Sequence, residues 1–137
     1  MKGNKMLKNF FIKISLVFMI LLLSKNVNAQ GNAVDQYKQI GGVSGLTELC
    51  FKSKKLEITL LKQIGEALYT QPEVGEMLFE LLYSFFEAKG VAMEKKVIWN
   101  GTSQSYNKKQ FDCANSKDQK LIKQFEIQLM NGLKSQG

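Results

Sequence analysis

Two carboxylates, Glu76 and Glu80, are the residues whose spacing could support catalysis. They are four positions apart and would lie one turn apart on a helix, where one could act as a general acid and the other as a general base. The chain contains no histidine, which excludes His-based proton transfer and ordinary zinc sites. It also has no glycine-rich phosphate loop and no paired spacing of metal ligands. Because solvated helix faces often carry such carboxylate pairs, we predict no enzyme, no catalytic residue, no metal and no cofactor.

The N-terminus has the pattern of a secretory signal peptide. A lysine-rich stretch precedes an apolar run over residues 14–23, which is too short to span a bilayer comfortably. Val27-Asn28-Ala29 then supplies the small residues of a cleavage site. We therefore predict a signal peptide over residues 1–29, export to the periplasm or the extracellular space, and no membrane contact after cleavage. An uncleaved signal anchor is the alternative.

Removal of the signal changes the charge of the protein. The whole chain has a formal charge of +7, but five of its 19 lysines precede residue 30 and all 12 acids follow it. The mature chain, with 14 lysines against 12 acids, is close to neutral at +2. It has no arginine, the residue that most often reads phosphate and guanine through paired hydrogen bonds. A nucleic-acid partner is not expected.

Cys50 and Cys113 are the two cysteines of the chain. An even number of cysteines in an exported protein indicates a disulfide. The alternative, a redox or nucleophilic cysteine, has no C-x-x-C spacing and no histidine to support it. We predict that a Cys50–Cys113 bridge ties the first helix of the domain to the start of the last.

Residues 70–90 carry the strongest helical periodicity in the chain. Thr70 and Glu73 have the spacing of a capping box, Pro72 suits a first turn, and Gly90 suits the position after a helix end. Apolar residues recur between these signals with a period of 3 to 4 residues. The sequence therefore predicts a central helix from Thr70 to Gly90.

The apolar arc of this helix covers more than half of its circumference. Phe79, Tyr83 and Phe86 extend the arc beyond what one packing partner needs. They either pack against further helices or form an exposed aromatic patch that binds a partner. Glu76 and Glu80 border them, and their mutual repulsion would be relieved by a basic partner.

The flanking segments complete a mainly α fold. We predict a flexible, glycine-rich lead-in over residues 30–43 and a single helical domain over residues 44–137. Two helices, near 44–53 and 56–69, would precede the central helix, with one long kinked helix as the alternative. Ser116 and Gln119 have the spacing of a capping box for a last helix that starts near Ser116. The expected architecture is a small bundle of about four helices with one disulfide.

A short β-hairpin is expected near residues 95–106, because Asn100-Gly101 is a strong turn signal. An irregular loop is the alternative. Asn100-Gly101-Thr102 is also an N-x-T sequon, which would carry a glycan in a eukaryotic secretory pathway.

One resemblance to a known family covers most of residues 44–126. Its residues are Cys50 in the first helix, Gln110-Phe111-Asp112-Cys113, Ser116-Lys117 and Leu121-Ile122-Lys123-Gln124-Phe125. With a signal peptide and a helical body of this size, they resemble the small periplasmic immunity proteins that inhibit type VI-secreted peptidoglycan amidases. The resemblance implies an inhibitor that binds another protein, and it carries over no partner-binding residue.

The sequence thus favours a small exported protein that acts by stoichiometric binding to another protein. Phe79, Tyr83, Phe86, Glu76 and Glu80 are the predicted binding residues. The main alternative is a carrier of a small apolar ligand or a periplasmic chaperone. A co-purifying lipid would favour that alternative.

Overall fold

The computed structural model describes residues 27–135, with side chains from residue 32 onward. The predicted class is confirmed, because four helices and one two-stranded antiparallel sheet form the described part of the chain, with one disulfide. The predicted signal peptide lies outside the described residues, except that residues 27–29 form the first turn of helix α1. The elements in chain order are α1 (Val27–Phe51), α2 (Lys55–Thr70), a 3-10 turn (Pro72–Val74), α3 (Gly75–Lys95), β1 (Trp99–Asn100), β2 (Ser105–Tyr106) and α4 (Ser116–Lys134).

Helix α1 occupies the segment for which the sequence predicts a flexible lead-in. The prediction for residues 30–43 is wrong, as is a helix start at Ser44, which is buried inside α1. Tyr37 and Ile40 are almost completely buried, together with Ala33 and Val43 one turn before and after them. The glycines of α1 lose much conformational entropy when the helix forms. Burial of this apolar face offsets that loss and stabilises the helix.

The glycines of α1 form the contact with α3. A Cβ atom on Gly41 would overlap the carbonyl oxygen of Phe85, and one on Gly45 would lie 2.6 Å from the carbonyl oxygen of Lys89. The two backbones therefore approach more closely than side chains of ordinary size allow. The glycines that predicted a flexible segment therefore allow α1 to pack closely against α3.

Helix α2 begins after a three-residue break, which confirms two helices rather than one kinked helix. Lys52 lies in the break with a left-handed backbone (φ 54°). The buried side of α2 is formed by Leu56, Leu60 and Ile64, at the spacing of one helix face.

Helix α3 starts later and ends later than its sequence signals predict. The Thr70 hydroxyl donates to the carbonyl oxygens of Glu66 and Ala67, so it closes α2 and forms no capping box with Glu73. Gly90 lies inside α3, which continues to Lys95 and ends at the left-handed Lys96. The helix passes Gly90 because Ala88 and Ala92 are both fully buried, so the packed face continues across that glycine.

The predicted hairpin is confirmed, with Trp99 paired to Tyr106 and Asn100 paired to Ser105. Its connection is the four-residue segment 101–104 rather than a two-residue turn. A two-residue ladder is too small to be stable alone. It is held against α1 by a hydrogen bond of 2.9 Å from Trp99 Nε1 to Asp35 Oδ1.

The predicted disulfide is also confirmed: Cys50 in the last turn of α1 is bonded to Cys113, which precedes α4. The N-cap of α4 is Asn115, whose side-chain oxygen accepts from the backbone N–H of Asp118. The predicted Ser116–Gln119 capping box is therefore wrong, and Gln119 instead donates to the carbonyl oxygen of Cys113. Within residues 27–135, no helix is both long enough and apolar enough to cross a membrane.

Candidate functional site

The three aromatic residues predicted to bind a partner lie together on the outer side of α3. The exposed fractions of Phe79, Tyr83 and Phe86 are 67%, 71% and 45%. The opposite side of the same helix buries Leu78, Leu81 and Phe85 and packs on α1. Positions 79, 83 and 86 follow the spacing of one helix face. The sequence left open whether these aromatics were core or surface, and the structure places them at the surface.

Acidic residues surround these aromatics. Glu73, Glu76, Glu80 and Glu87 are all exposed, and no lysine occurs between Lys62 and Lys89. We call Glu76, Phe79, Glu80, Tyr83 and Phe86 the α3 face. It joins the exposed aromatics to a local excess of negative charge, on a chain whose described part has more lysines than acids.

Lys89, the nearest basic residue along α3, does not offset this charge. Its side chain is 13% exposed and lies 2.7 Å from Glu57 of α2 and 3.1 Å from Glu48 of α1. Burial alone would lower the pKa of Lys89, but the hydrogen bonds that it donates to Glu57 and Glu48 outweigh the burial and raise the pKa. Lys89 therefore joins three helices and does not belong to the α3 face.

Glu48 is the acidic centre of this ion-pair network. Burial on its own would raise the pKa of Glu48, but the hydrogen bonds that its carboxylate accepts from Lys89 and Lys54 outweigh the burial and lower the pKa. A carboxyl group whose pKa is lowered by folding stabilises the folded state above its unfolded-state pKa, and that stabilisation is lost as the pH falls through the folded-state pKa.

We expect Glu48→Gln to lower the free energy of unfolding by about 1 kcal/mol at pH 7, between the values for exposed and buried pairs. The difference from wild type should shrink below about pH 4.3, the ordinary pKa of a glutamate. Urea unfolding of both proteins from pH 3 to pH 7 measures it. Glu94→Gln, at an exposed position of the same helix as Lys89, is the control and should change little. A pH-independent difference would contradict the role of the Glu48 charge.

The structure also contains a groove that the sequence did not predict. It has a volume of about 480 Å³ and lies between α1, the hairpin with the segment after it, and α4. Its walls are largely apolar, and its rim is polar. The apolar lining residues are Val43, Ile98, Trp99, Phe111, Leu121, Phe125 and Leu129, and the polar ones are Gln39, Asn100, Asn107, Lys109 and Gln128.

Trp99 is held in this groove by contacts with three other residues. Besides the hydrogen bond to Asp35, the Lys38 Nζ atom lies 4.0 Å from the centre of the Trp99 ring. The Tyr106 ring packs edge-on against it at 5.1 Å. These contacts come from α1 and from the opposite strand, so the indole ring is fixed before any ligand arrives.

The single cation of the groove is already paired. Lys109 Nζ lies 3.0 Å from Asp118 Oδ1. The pKa of Asp118 is lowered by a hydrogen bond from the Asp112 backbone N–H, and also by Lys109. The Lys109 charge is thus largely neutralised at the groove, and no carboxylate is among the lining residues.

The α3 face and the groove share no residue, and neither Glu76 nor Glu80 lines the groove. Asn100, the asparagine of the N-x-T sequon, lines the groove, and its side-chain oxygen accepts from the backbone N–H of Thr102 at 2.9 Å. Among residues 27–135, no group of three potential ligands is placed to hold a metal ion. The groove was missed because its walls come from separate segments of the chain.

In comparisons with known proteins, no family model matches the chain, and no curated protein or solved structure matches it either.

Proposed function

We propose that this protein acts by stoichiometric binding to another protein through the α3 face. The observation that carries the proposal is the exposure of Phe79, Tyr83 and Phe86 on a helix whose other side is fully packed. Aromatic residues on a firmly supported helix lose little conformational entropy on binding and are enriched among the residues that dominate interface energies. Such a cluster is more than the single exposed apolar residues that any surface carries.

The charge of this surface specifies the chemistry of the partner. Residues 63–88 contain five acids and no lysine, whereas residues 89–135 contain nine lysines and four acids. Glu76 and Glu80 of the α3 face belong to this acidic stretch, whereas Glu87 is ion-paired with Lys38 of α1 at 3.8 Å. A partner with a basic surface around an apolar pocket would complement the α3 face, and the charges would speed association more than they would add affinity.

An immunity-type inhibitor of an exported peptidoglycan amidase is the specific form of this proposal that the resemblance suggests. In this form the protein has a signal peptide and works in the periplasm or outside the cell. The Cys50–Cys113 disulfide is compatible with such an oxidising compartment. Inhibition would follow from covering the amidase cleft, so the protein needs no catalytic residue of its own.

The experiment is a comparison of partner binding by wild type and by Phe79→Ala/Tyr83→Ala. Both residues are well exposed, so the variant should fold normally. Phe86 is left intact because its ring packs at 5.0 Å against the buried Phe85. Partners are captured from the native extract, identified, purified and titrated. We expect a 1:1 complex whose affinity falls at least about tenfold in the variant.

Two controls make this experiment decisive. Ile127→Ala removes an apolar residue of α4 that is 57% exposed and should leave the affinity unchanged. Glu76→Lys should slow association and weaken its dependence on salt, with a smaller effect on dissociation. A 1:1 partner that binds wild type and the double alanine variant equally well would move the interface away from the α3 face. Loss of cell-wall amidase activity at one equivalent would support the specific form.

The alternative of a carrier for an apolar ligand would have to use the groove. A purely apolar ligand would cover the carboxamides of Gln39, Asn107 and Gln128 without offering them hydrogen bonds, which is unfavourable. The groove is therefore better explained by a ligand of different chemistry.

A further inference from the structure

We infer that the groove between α1, the hairpin and α4 is a binding site for a neutral saccharide. This site is independent of the α3 face, and it stands or falls separately from the proposed protein partner. Three features specify the ligand: a fixed aromatic wall, carboxamides on every side and the absence of an uncompensated charge.

The aromatic wall is preorganised. The Trp99 ring is held by Asp35 at its nitrogen, by Lys38 over the ring and by Tyr106 at its edge. Its Nε1 proton is already used, so the ring offers the groove only apolar surface. The C–H face of a pyranose ring is apolar and flat, and it packs well on such a surface. A side chain that is fixed in advance loses little entropy on binding.

Each side of the groove contributes a carboxamide. Gln39 comes from α1, Gln128 comes from α4, and Asn100 and Asn107 come from the hairpin and the residue after it. A carboxamide offers both donors and an acceptor, and so can bind the adjacent hydroxyl or acetamido groups of a sugar.

Much of this hydrogen-bonding capacity is unused by the protein. Asn100 Nδ2 donates to Asn107 Oδ1 at 3.2 Å, so this bond uses the oxygen of Asn107 and leaves its Nδ2 donors for another acceptor. Within the described part of the chain, the side chains of Gln39 and Gln128 have no hydrogen-bond partner. Side chains on opposite walls are therefore available to one ligand.

Charge complementarity excludes strongly ionic ligands. No carboxylate lines the groove to attract a cation. Its one cation, Lys109, already has Asp118 as a counter-ion at 3.0 Å, so the pair adds little net charge to attract an anion. A ligand with hydroxyl and amide groups but no net charge fits all three features.

The test uses the native fluorescence of Trp99, the chain's one tryptophan. The full chain is titrated with two uncharged probes, a trimer of β-1,4-linked N-acetylglucosamine and a trimer of β-1,4-linked glucose. We expect a saturable change in fluorescence with at least one of them. Gln128→Ala should weaken that binding about tenfold, which corresponds to the loss of a well-formed hydrogen bond.

The matched control is Gln124→Ala, one turn earlier on α4 and exposed outside this groove. It should bind like wild type. A saturable response that Gln128→Ala and Gln124→Ala share equally would overturn the site. Binding of laurate in place of both sugars would overturn the saccharide assignment and return the groove to the apolar-carrier alternative. No response to any probe would likewise overturn the inference. All of these results leave the test of the α3 face unaffected.

Discussion

Replacing both Cys50 and Cys113 by Ser is expected to lower the free energy of unfolding by about 4 kcal/mol. The bridge joins residues 63 positions apart, so its removal frees a long loop in the unfolded chain. In the chain-entropy model, closing a loop of this size removes much of the conformational freedom of the unfolded state. A loss of this size is a large share of the stability of a small domain.

The measurement is urea unfolding of the oxidised wild type, the reduced wild type and the double Ser variant. The last two should agree, because both lack the covalent link. The native structure of the variant should persist in water, because the segment before α4 has further contacts. Asp118 accepts from the Asp112 backbone N–H, and Gln119 donates to the Cys113 carbonyl. Equal stability of oxidised and reduced wild type would contradict a stabilising bridge.

The sequence predicted the parts of the fold that depend on local signals. The apolar periodicity of residues 70–90 correctly predicted a helix there, and Leu78, Leu81 and Phe85 form its buried side. The Asn100-Gly101 signal correctly predicted the hairpin, and the even number of cysteines correctly predicted the disulfide. Each of these features is determined by a short stretch of chain or by a single pair of residues.

The predicted helix boundaries were wrong where packing against another helix outweighed a local conformational preference. Gly90 would suit a helix end in isolation, but the burial of Ala88 and Ala92 against α1 favours one continuous helix. Thr70 has the spacing of a start signal and instead closes the preceding helix. Propensity is a weak prior, and tertiary contacts of a few kcal/mol outweigh it.

The two candidate sites differ in the same way, because one depends on local sequence signals and the other on tertiary assembly. The α3 face could be predicted because its residues follow one helix at fixed spacing. The groove could not, because it exists only once α1, the hairpin and α4 are assembled. Gln39 and Gln128 are unremarkable in the sequence, and their significance comes from lining one cavity across a distance of 89 positions in the chain.

Replacing Gly41 by Ala is expected to lower the free energy of unfolding by about 3 kcal/mol, near the upper end of the range for overpacking. In an exposed helix the same change would be favourable, because alanine has the higher helix propensity. Here the added methyl group would overlap the Phe85 carbonyl oxygen, which belongs to the backbone of α3 and cannot rotate away. The two helices would have to separate, and the buried contacts on either side of Gly41 would loosen.

The matched control is Gly90→Ala, which adds the same methyl group to the partner helix at a position with no neighbouring atom within 4 Å. It should raise the free energy of unfolding by about 0.5–1 kcal/mol. Urea unfolding of both variants with the disulfide intact should therefore show changes of opposite sign in the free energy of unfolding, although each variant gains the same methyl group. Stabilisation by both would show that α1 and α3 do not cross closely at Gly41. Destabilisation by Gly41→Ala alone would show that the glycines of this segment serve helix contact, which explains why a stretch with the composition of a flexible lead-in forms the longest helix of the described chain.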